Sequence, residues 1–181
     1  MQLADFLDCD AIKTALPGGN KRSLMKQLAE LAAQRIGVGA PVVLGGLNER
    51  EQLGSTGFGQ GVAIPHAKIE GLTQIYGLFA RLAEPVDYKA IDGRPVDLVF
   101  LLLSPPDAGA EHLKALAAIS RVTRDGANLE RLRGARSRDA RAALRMGADE
   151  RDAACRATAF PPTWRLPGCF GVSAPMVVSQ Q

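Results

Sequence analysis

Apolar positions recur with a helical period in the first part of the chain. Leu24, Leu28, Leu31 and Ile36 share one face of a helix predicted from about Lys21 to Ile36, with Asn20 at its N-cap. Val38 and Gly39 lie in the break that follows. Val42, Val43 and Leu44 then read as a short strand, and the Asn48/Glu51 spacing matches a capping pair, so a short helix is predicted to begin there. Residues 54–61 (Gly-Ser-Thr-Gly-Phe-Gly-Gln-Gly) form a loop before the apolar Val62-Ala63-Ile64, and Pro65 favours an extended Ile64. Ile75 to Leu82 reads as a buried strand. Asp92-Gly93 signals a turn, and Val96 to Leu103 is the strongest strand pattern in the chain. Pro105-Pro106-Asp107 ends it. A helix from about Gly109 to Arg124 follows, its apolar stripe supplied by Leu113, Leu116 and Ile119.

Strands that alternate with helices predict an α/β layer fold. The pattern weakens after residue 125. Residues 126–151 are rich in Ala and Arg and predict one or two helices, the first part of the Arg-rich stretch continuing the preceding helix. Residues 151–181, with Pro161-Pro162, Trp164 and Pro167-Gly168, have no usable period and are expected to form an irregular or disordered tail to a domain of residues 1–150.

Composition narrows the class. The chain has 181 residues, 46% hydrophobic and 23% charged, which is ordinary globular usage. Its longest apolar run, Leu98 to Leu103, is too short to span a bilayer as a helix. Asp5 and Asp8 stand where a secretory signal would need a basic segment, and three cysteines suit a reducing compartment, so a cytoplasmic location is expected. The net charge of +3 hides an asymmetry: residues 1–120 carry −2 and residues 121–181 carry +5. The basic end alone suggests nucleic acid, but no interleaved aromatics or motif support that reading.

Only two histidines are present, His66 and His112. A solvent-facing histidine does nothing in most proteins. His66, however, follows a glycine-rich loop bearing the Ser55 and Thr56 hydroxyls. Exposed amides at Gly57, Gly59 and Gly61 and two hydroxyls could surround the oxygens of a phosphoryl group. His112 lies in the first turn of its predicted helix, where it could favour an anion or simply face water. Arg50 is either an anion contact or part of a solvated helix face. The loop lacks the Gly-Lys-Ser/Thr of a nucleotide-binding P-loop, and Gly57, Gly59 and Gly61 have G-x-G-x-G rather than dinucleotide spacing. No spaced ligand set for zinc and no G-x-S-x-G elbow occurs.

The run from Arg50 to Lys68, with its G-x-G-x-G and Ala63-Ile64-Pro65-His66, resembles the type-2 IIA domain of the phosphoenolpyruvate-dependent phosphotransferase system, the fructose/mannitol class. Within that class it is most similar to the nitrogen-regulatory subgroup. The resemblance extends from the N-terminus through His112-Leu113-Lys114-Ala115-Leu116 to about Leu132-Arg133-Gly134. The family usually closes with one short helix after that segment, where this chain continues.

The resemblance implies a single domain with a mixed sheet flanked by helices. It implies that His66 accepts a phosphoryl group from a histidine-phosphorylated carrier protein, HPr-like or its nitrogen-related homologue. His112 and Arg50 would support the transfer. A histidine relay of this kind is transferase-like and needs neither metal nor cofactor. The product would be read by regulatory target proteins; alternatively the chain is a permease component that passes the phosphoryl group to a IIB protein. An apolar ring including Phe58 and Ile69 is the expected docking surface.

Overall fold

The computed structural model describes residues 1–135 and Leu144. A six-stranded mixed sheet carries helices on both faces. After a 3-10 turn at Leu3–Asp5 come β1 (Leu7–Leu16), α1 (Lys21–Ile36), α2 (Ala40–Gln52), β2 (Gly57–Gly59), β3 (Val62–Ala63) and β4 (His66–Lys68). Then follow β5 (Tyr76–Val86), β6 (Val96–Ser104), α3 (Gly109–Thr123) and α4 (Gly126–Gly134). The strand order is β1-β5-β6-β3-β2, and β4 also pairs with β6. β5 runs antiparallel to β6, whereas β1 is parallel to β5 and both β3 and β4 are parallel to β6.

The strength of the Val96–Leu103 pattern has a direct cause: β6 is buried on both faces. Val99, Leu101 and Leu103 face one layer, with Leu24 and Leu28 of α1 and Val43 and Leu47 of α2. Leu98, Phe100 and Leu102 face the other, with Ala115, Ile119 and Val122 of α3 and Leu129 and Leu132 of α4. The cross-strand pair Phe79 and Phe100 lies in that second layer, ring centroids 4.9 Å apart. Leu144 is buried there too.

α1 and its Asn20 cap match the sequence reading; Asn20 Oδ1 accepts from the Ser23 amide at 2.8 Å. β5, β6 and α3 lie where expected, with β5 running on to Val86, but Leu113, assigned to the apolar stripe of α3, is exposed, and Ala115, Ala118, Ile119 and Val122 make the buried face instead. The strand predicted at Val42–Leu44 is instead the first turn and a half of α2, and the Asn48 capping pair falls inside that helix. Pro41 in the first turn favours helix, and Val43 and Leu47, four residues apart, bury one face. α3 stops at Thr123 and α4 starts afresh at Gly126, its Asp125 side chain accepting from the Ala127 amide, so no single helix crosses residue 124. The predicted tail lies outside the described residues. No described helix is long and apolar enough to cross a membrane.

Candidate functional site

The site forms where β4 begins and β6 ends. Ile64 and Pro65 interrupt the edge of β6 that β3 and β4 occupy in turn, and the Leu102 amide donates to the Pro65 carbonyl. Pro65 has no N–H, so a break in the ladder costs nothing there. His66 follows directly, opposite Leu102. Two residues beyond Leu102, β6 ends at Ser104, and a short turn brings His112 back in the first turn of α3.

α2 supplies the third group. A Cβ on Gly46 would stand 3.0 Å from Ile69 Cδ1, so glycine lets the helix lie close to β4. Arg50, one turn along the same face, then reaches the strand. Its Nε–H donates to His66 Nε2 at 2.9 Å, and Nη1 donates to the Gly54 carbonyl at 3.0 Å.

These bonds assign the His66 ring. Nδ1 lies 2.8 Å from the Ile64 carbonyl, which can only accept, so Nδ1 carries the proton. Nε2 accepts from Arg50 and so presents a lone pair. The His112 ring lies with its centroid 5.4 Å from that of His66, tilted by 52°. His112 is buried, and its Nδ1 is 2.8 Å from Ser104 Oγ.

Burial, reinforced by the Arg50 charge, lowers the His66 pKa from its ordinary value, although the Ile64 carbonyl and Glu51 work the other way. Burial also pushes His112 down to about 4, helped by the positive character of His66, Lys68 and Arg50. Both imidazoles are therefore neutral at pH 7. They share a cleft of about 570 Å³ with Arg50, Lys68 and Leu53.

His66, His112 and Arg50 thus come together as expected from the sequence. The glycine loop does not join them as a cradle. Thr56 is buried; its hydroxyl donates to Glu51 and lies 3.1 Å from the Tyr88 hydroxyl, and its amide donates to Glu51 as well. Ser55 Oγ donates to the Tyr88 carbonyl and accepts from the Gly57 amide. Neither side chain lines the cleft. Gly57 is required because a Cβ would stand 2.6 Å from Ala90 Cα, while Gly59 and Gly61 adopt φ of 102° and 79° in the β2–β3 turn. Ile69, expected on the docking ring, is buried at 2% exposure, because β4 turns it under α2. Phe58 is exposed, and Leu53 and Leu113 are more so at 85% and 67%.

Two residues have roles that the sequence reading missed, Glu51 having been read only as half of a capping pair. Ser104 meets His112 as described. Glu51 is the centre of a buried cluster: besides Thr56, its carboxylate accepts from Lys21 Nζ at 2.6 Å, and Lys21 also donates to the Tyr88 carbonyl and lies over the Tyr88 ring. Burial would raise the Glu51 pKa, but Lys21 and the Thr56 hydroxyl and amide outweigh it and hold the carboxyl below its usual range. Signals for both existed only as residue types: a hydroxyl ending an apolar strand, and an acid beside Arg50.

Residues 5–144 match the family model described as phosphoenolpyruvate-dependent sugar phosphotransferase system, EIIA 2. The chain is 49% identical over 142 residues to a nitrogen regulatory protein of Bradyrhizobium diazoefficiens, covering 78% of this chain and 92% of that one. The crystal structure of nitrogen regulatory protein IIA-Ntr from Neisseria meningitidis superposes with a TM-score of 0.75 at 36% identity, covering 78% of this chain and 98% of its own. A complex of mannitol enzyme IIA with phosphorylated enzyme IIB from Escherichia coli shares the fold, with a TM-score of 0.67 at 17% identity over 78% of this chain and 99% of that one.

Proposed function

The chain belongs to the EIIA 2 family of the phosphoenolpyruvate-dependent sugar phosphotransferase system, and from that premise we propose that His66 Nε2 is its phosphoryl acceptor. The protein is a regulatory phosphoryl carrier of the nitrogen-related branch; relatives at 49% and 36% identity bear that name, whereas the mannitol protein shares the fold at 17%. The observation that carries the acceptor assignment is the pair of bonds on the His66 ring. The Ile64 carbonyl holds the proton on Nδ1, which leaves the Nε2 lone pair to attack.

The donor is a phosphohistidine on a small carrier protein. His66 Nε2 forms a bond to phosphorus as the N–P bond of the donor breaks, and the electron pair of that bond returns to the donor imidazole. His66 becomes a phosphoimidazolium whose Nδ1–H remains on the Ile64 carbonyl, where the growing ring charge strengthens that bond. Arg50 must first release Nε2. Its guanidinium, tethered by Nη1 to Gly54, then lies within reach of a phosphoryl oxygen. A neutral His112 offers one further N–H. The transition state is loose, so these groups mainly position and neutralise charge.

Leu53 lines the cleft and is exposed, and Leu113, next to the cleft residue His112 in the chain, is exposed as well; such apolar groups suit a transient docking partner. The family works with phosphocarrier and IIB proteins, as the mannitol IIA–IIB complex illustrates for its own chains. For this chain we assign an HPr-like or nitrogen-related carrier as donor and regulatory proteins as readers. Incubation with phosphoenolpyruvate and the upstream carriers, followed by mass spectrometry and nitrogen–phosphorus NMR coupling, tests the reading. Acid-labile phosphate on Nε2 of His66 is expected. Phosphate on another residue, or on Nδ1, overturns it.

A further inference from the structure

Ser104 is fully buried at the end of β6, and the only hydrogen-bond partner of its Oγ among the described residues is His112 Nδ1, 2.8 Å away. Two arrangements of protons fit a neutral ring. In the first, the serine hydroxyl donates to Nδ1, and the ring proton sits on Nε2. In the second, Nδ1–H donates to Oγ, and the serine proton has no acceptor. The second buries an unpaired donor away from water, which is the costly outcome, so the first prevails. A doubly protonated ring is disfavoured because His112 is buried and shares its cleft with the cationic Arg50 and Lys68.

We infer that the Ser104 hydroxyl fixes the His112 tautomer, holding the ring proton on Nε2 so that this nitrogen serves as a hydrogen-bond donor in the cleft. Ser104 is thus a positioning residue that acts through His112. The consequence rests on the assignment of His66 as acceptor. The two rings, 5.4 Å apart, then carry opposite tautomers. The Ile64 carbonyl keeps the His66 proton on Nδ1 and leaves a nucleophilic lone pair on Nε2. Ser104 does the reverse at His112. A backbone acceptor behind one ring and a side-chain donor behind the other make a nucleophile and an electrophilic partner from two identical side chains. With the other tautomer, His112 Nε2 would point a lone pair at the phosphoryl oxygens and repel them.

The test uses the presence of only two histidines in the chain. Long-range proton–nitrogen correlation spectra of the uniformly labelled protein read both tautomers directly, and His112→Gln assigns the two ring systems. The expected wild-type pattern has His112 protonated on Nε2 and His66 on Nδ1. Ser104→Thr keeps the hydroxyl, and Ser104→Val has the same shape without it, so any crowding by the added methyl is common to both. The valine variant leaves Nδ1 without a partner in either form, so the fixed tautomer is expected to give way to a mixture in which Nδ1–H is detected, and phosphoryl uptake to slow about tenfold, less than the roughly hundredfold loss for deleting a donor outright. The threonine variant is expected to keep both the tautomer and most of the rate.

A wild-type His112 protonated on Nδ1, or a valine variant with an unchanged tautomer, overturns the inference. So does an equal loss of rate in both variants. Should the substitutions prevent folding, the wild-type spectrum alone decides the tautomer. Failure of the acceptor assignment is distinct: wild-type protein would then show these tautomers yet take up no phosphate on His66.

Discussion

Two of the clefts lined by described residues contain arginine. The one around His66 has a volume of about 570 Å³; the other, about 640 Å³, is lined by Gln60, Arg94, Asp97, Glu130 and Arg133. The larger holds the better-bonded arginine. Arg133 meets Asp97 through both Nε and Nη2, Glu130 through Nη1 and the Gln60 carbonyl through Nη2. Its carbonyl also accepts from Arg81. That guanidinium engages four of its five N–H groups and clamps α4 onto the β2–β3 turn. Arg50, by contrast, spends one N–H on a backbone carbonyl and another on His66 Nε2, the nitrogen we propose as the acceptor. Hydrogen-bonding capacity left open beside an imidazole lone pair, rather than cleft size, distinguishes the proposed site of chemistry from a structural joint.

The largest effects that sharpen this contrast fall on transfer at the smaller cleft. His66→Ala should abolish uptake of phosphoryl groups from the carrier while the melting temperature changes little, because His66 is only half-buried. A folded variant that still accumulates acid-labile phosphate would remove the acceptor from this cleft. His112→Ala should slow uptake roughly a hundred- to a thousandfold, the range for loss of one transition-state donor. An unchanged single-turnover rate would reduce His112 to a packing residue.

Beneath the cleft, the Glu51 cluster should behave like the Arg133 joint, only more strongly. Glu51→Ala leaves the Thr56 amide and hydroxyl and the Lys21 ammonium without their shared acceptor. Lys21 retains 26% exposure and can recover some water, so a loss of about 2–3 kcal/mol is expected in denaturant unfolding. Because Arg50 adjoins Glu51, and Thr56 anchors the loop beyond it, uptake should also fall. A stable variant with normal kinetics would show that the cluster supports neither.

Acid provides a smaller and reversible perturbation. Burial first, then the positive character of His66, Lys68 and Arg50, holds folded His112 at about 4, against an ordinary 6.5 in the unfolded chain. Between those values the unfolded chain binds more protons, so stability is complete above the upper value and drains away as the pH falls toward the lower one. Near pH 5 this should amount to about 1–2 kcal/mol. His112→Gln should flatten that part of the profile, whereas Arg133→Ala should leave its slope intact. An equally steep loss in the glutamine variant would move the acid sensitivity elsewhere.

Much of this was legible in the chain because it depends on local spacing. α1 and α3 repeat apolar residues along one face, and β6 is buried on both sides and therefore uninterrupted. β1 went unread because Asp8, Asp10 and Lys13 break its apolar pattern and two register shifts break its pairing with β5. Val42–Leu44 looked like a strand because three apolar residues in a row carry no period; the proline and the Val43/Leu47 spacing decided for helix. That His66, Arg50 and His112 would meet was legible through the family resemblance of the Arg50–Lys68 and His112–Leu116 segments. The duties of Ser55 and Thr56 were not, since Tyr88 lies more than thirty residues away and only the fold brings it under the loop. Ser104 was hidden for a related reason: nothing in β6 announces which helix residue its hydroxyl will meet.

The smallest expected effect belongs to the larger cleft and is the cleanest test of the contrast. Arg133 and Asp97 are both about one quarter exposed, and solvent screens their pairing. Glu130 is 74% exposed and adds little. What Arg133→Ala removes, then, is the bidentate bond to Asp97 and the bond to the Gln60 carbonyl, worth about 1 kcal/mol together after that screening. Melting should shift by a few degrees, and Gly59 and Gly61, which hold the β2–β3 turn, should exchange their amide protons faster as the clamp opens. Uptake of phosphate at His66 should stay within about twofold of wild type, since a change of under 0.5 kcal/mol at a distant site corresponds to that range. If uptake instead falls as steeply as stability, or more so, the two clefts are coupled. The larger one would then have to be counted as part of the phosphoryl-transfer machinery rather than a joint between α4 and the β2–β3 turn.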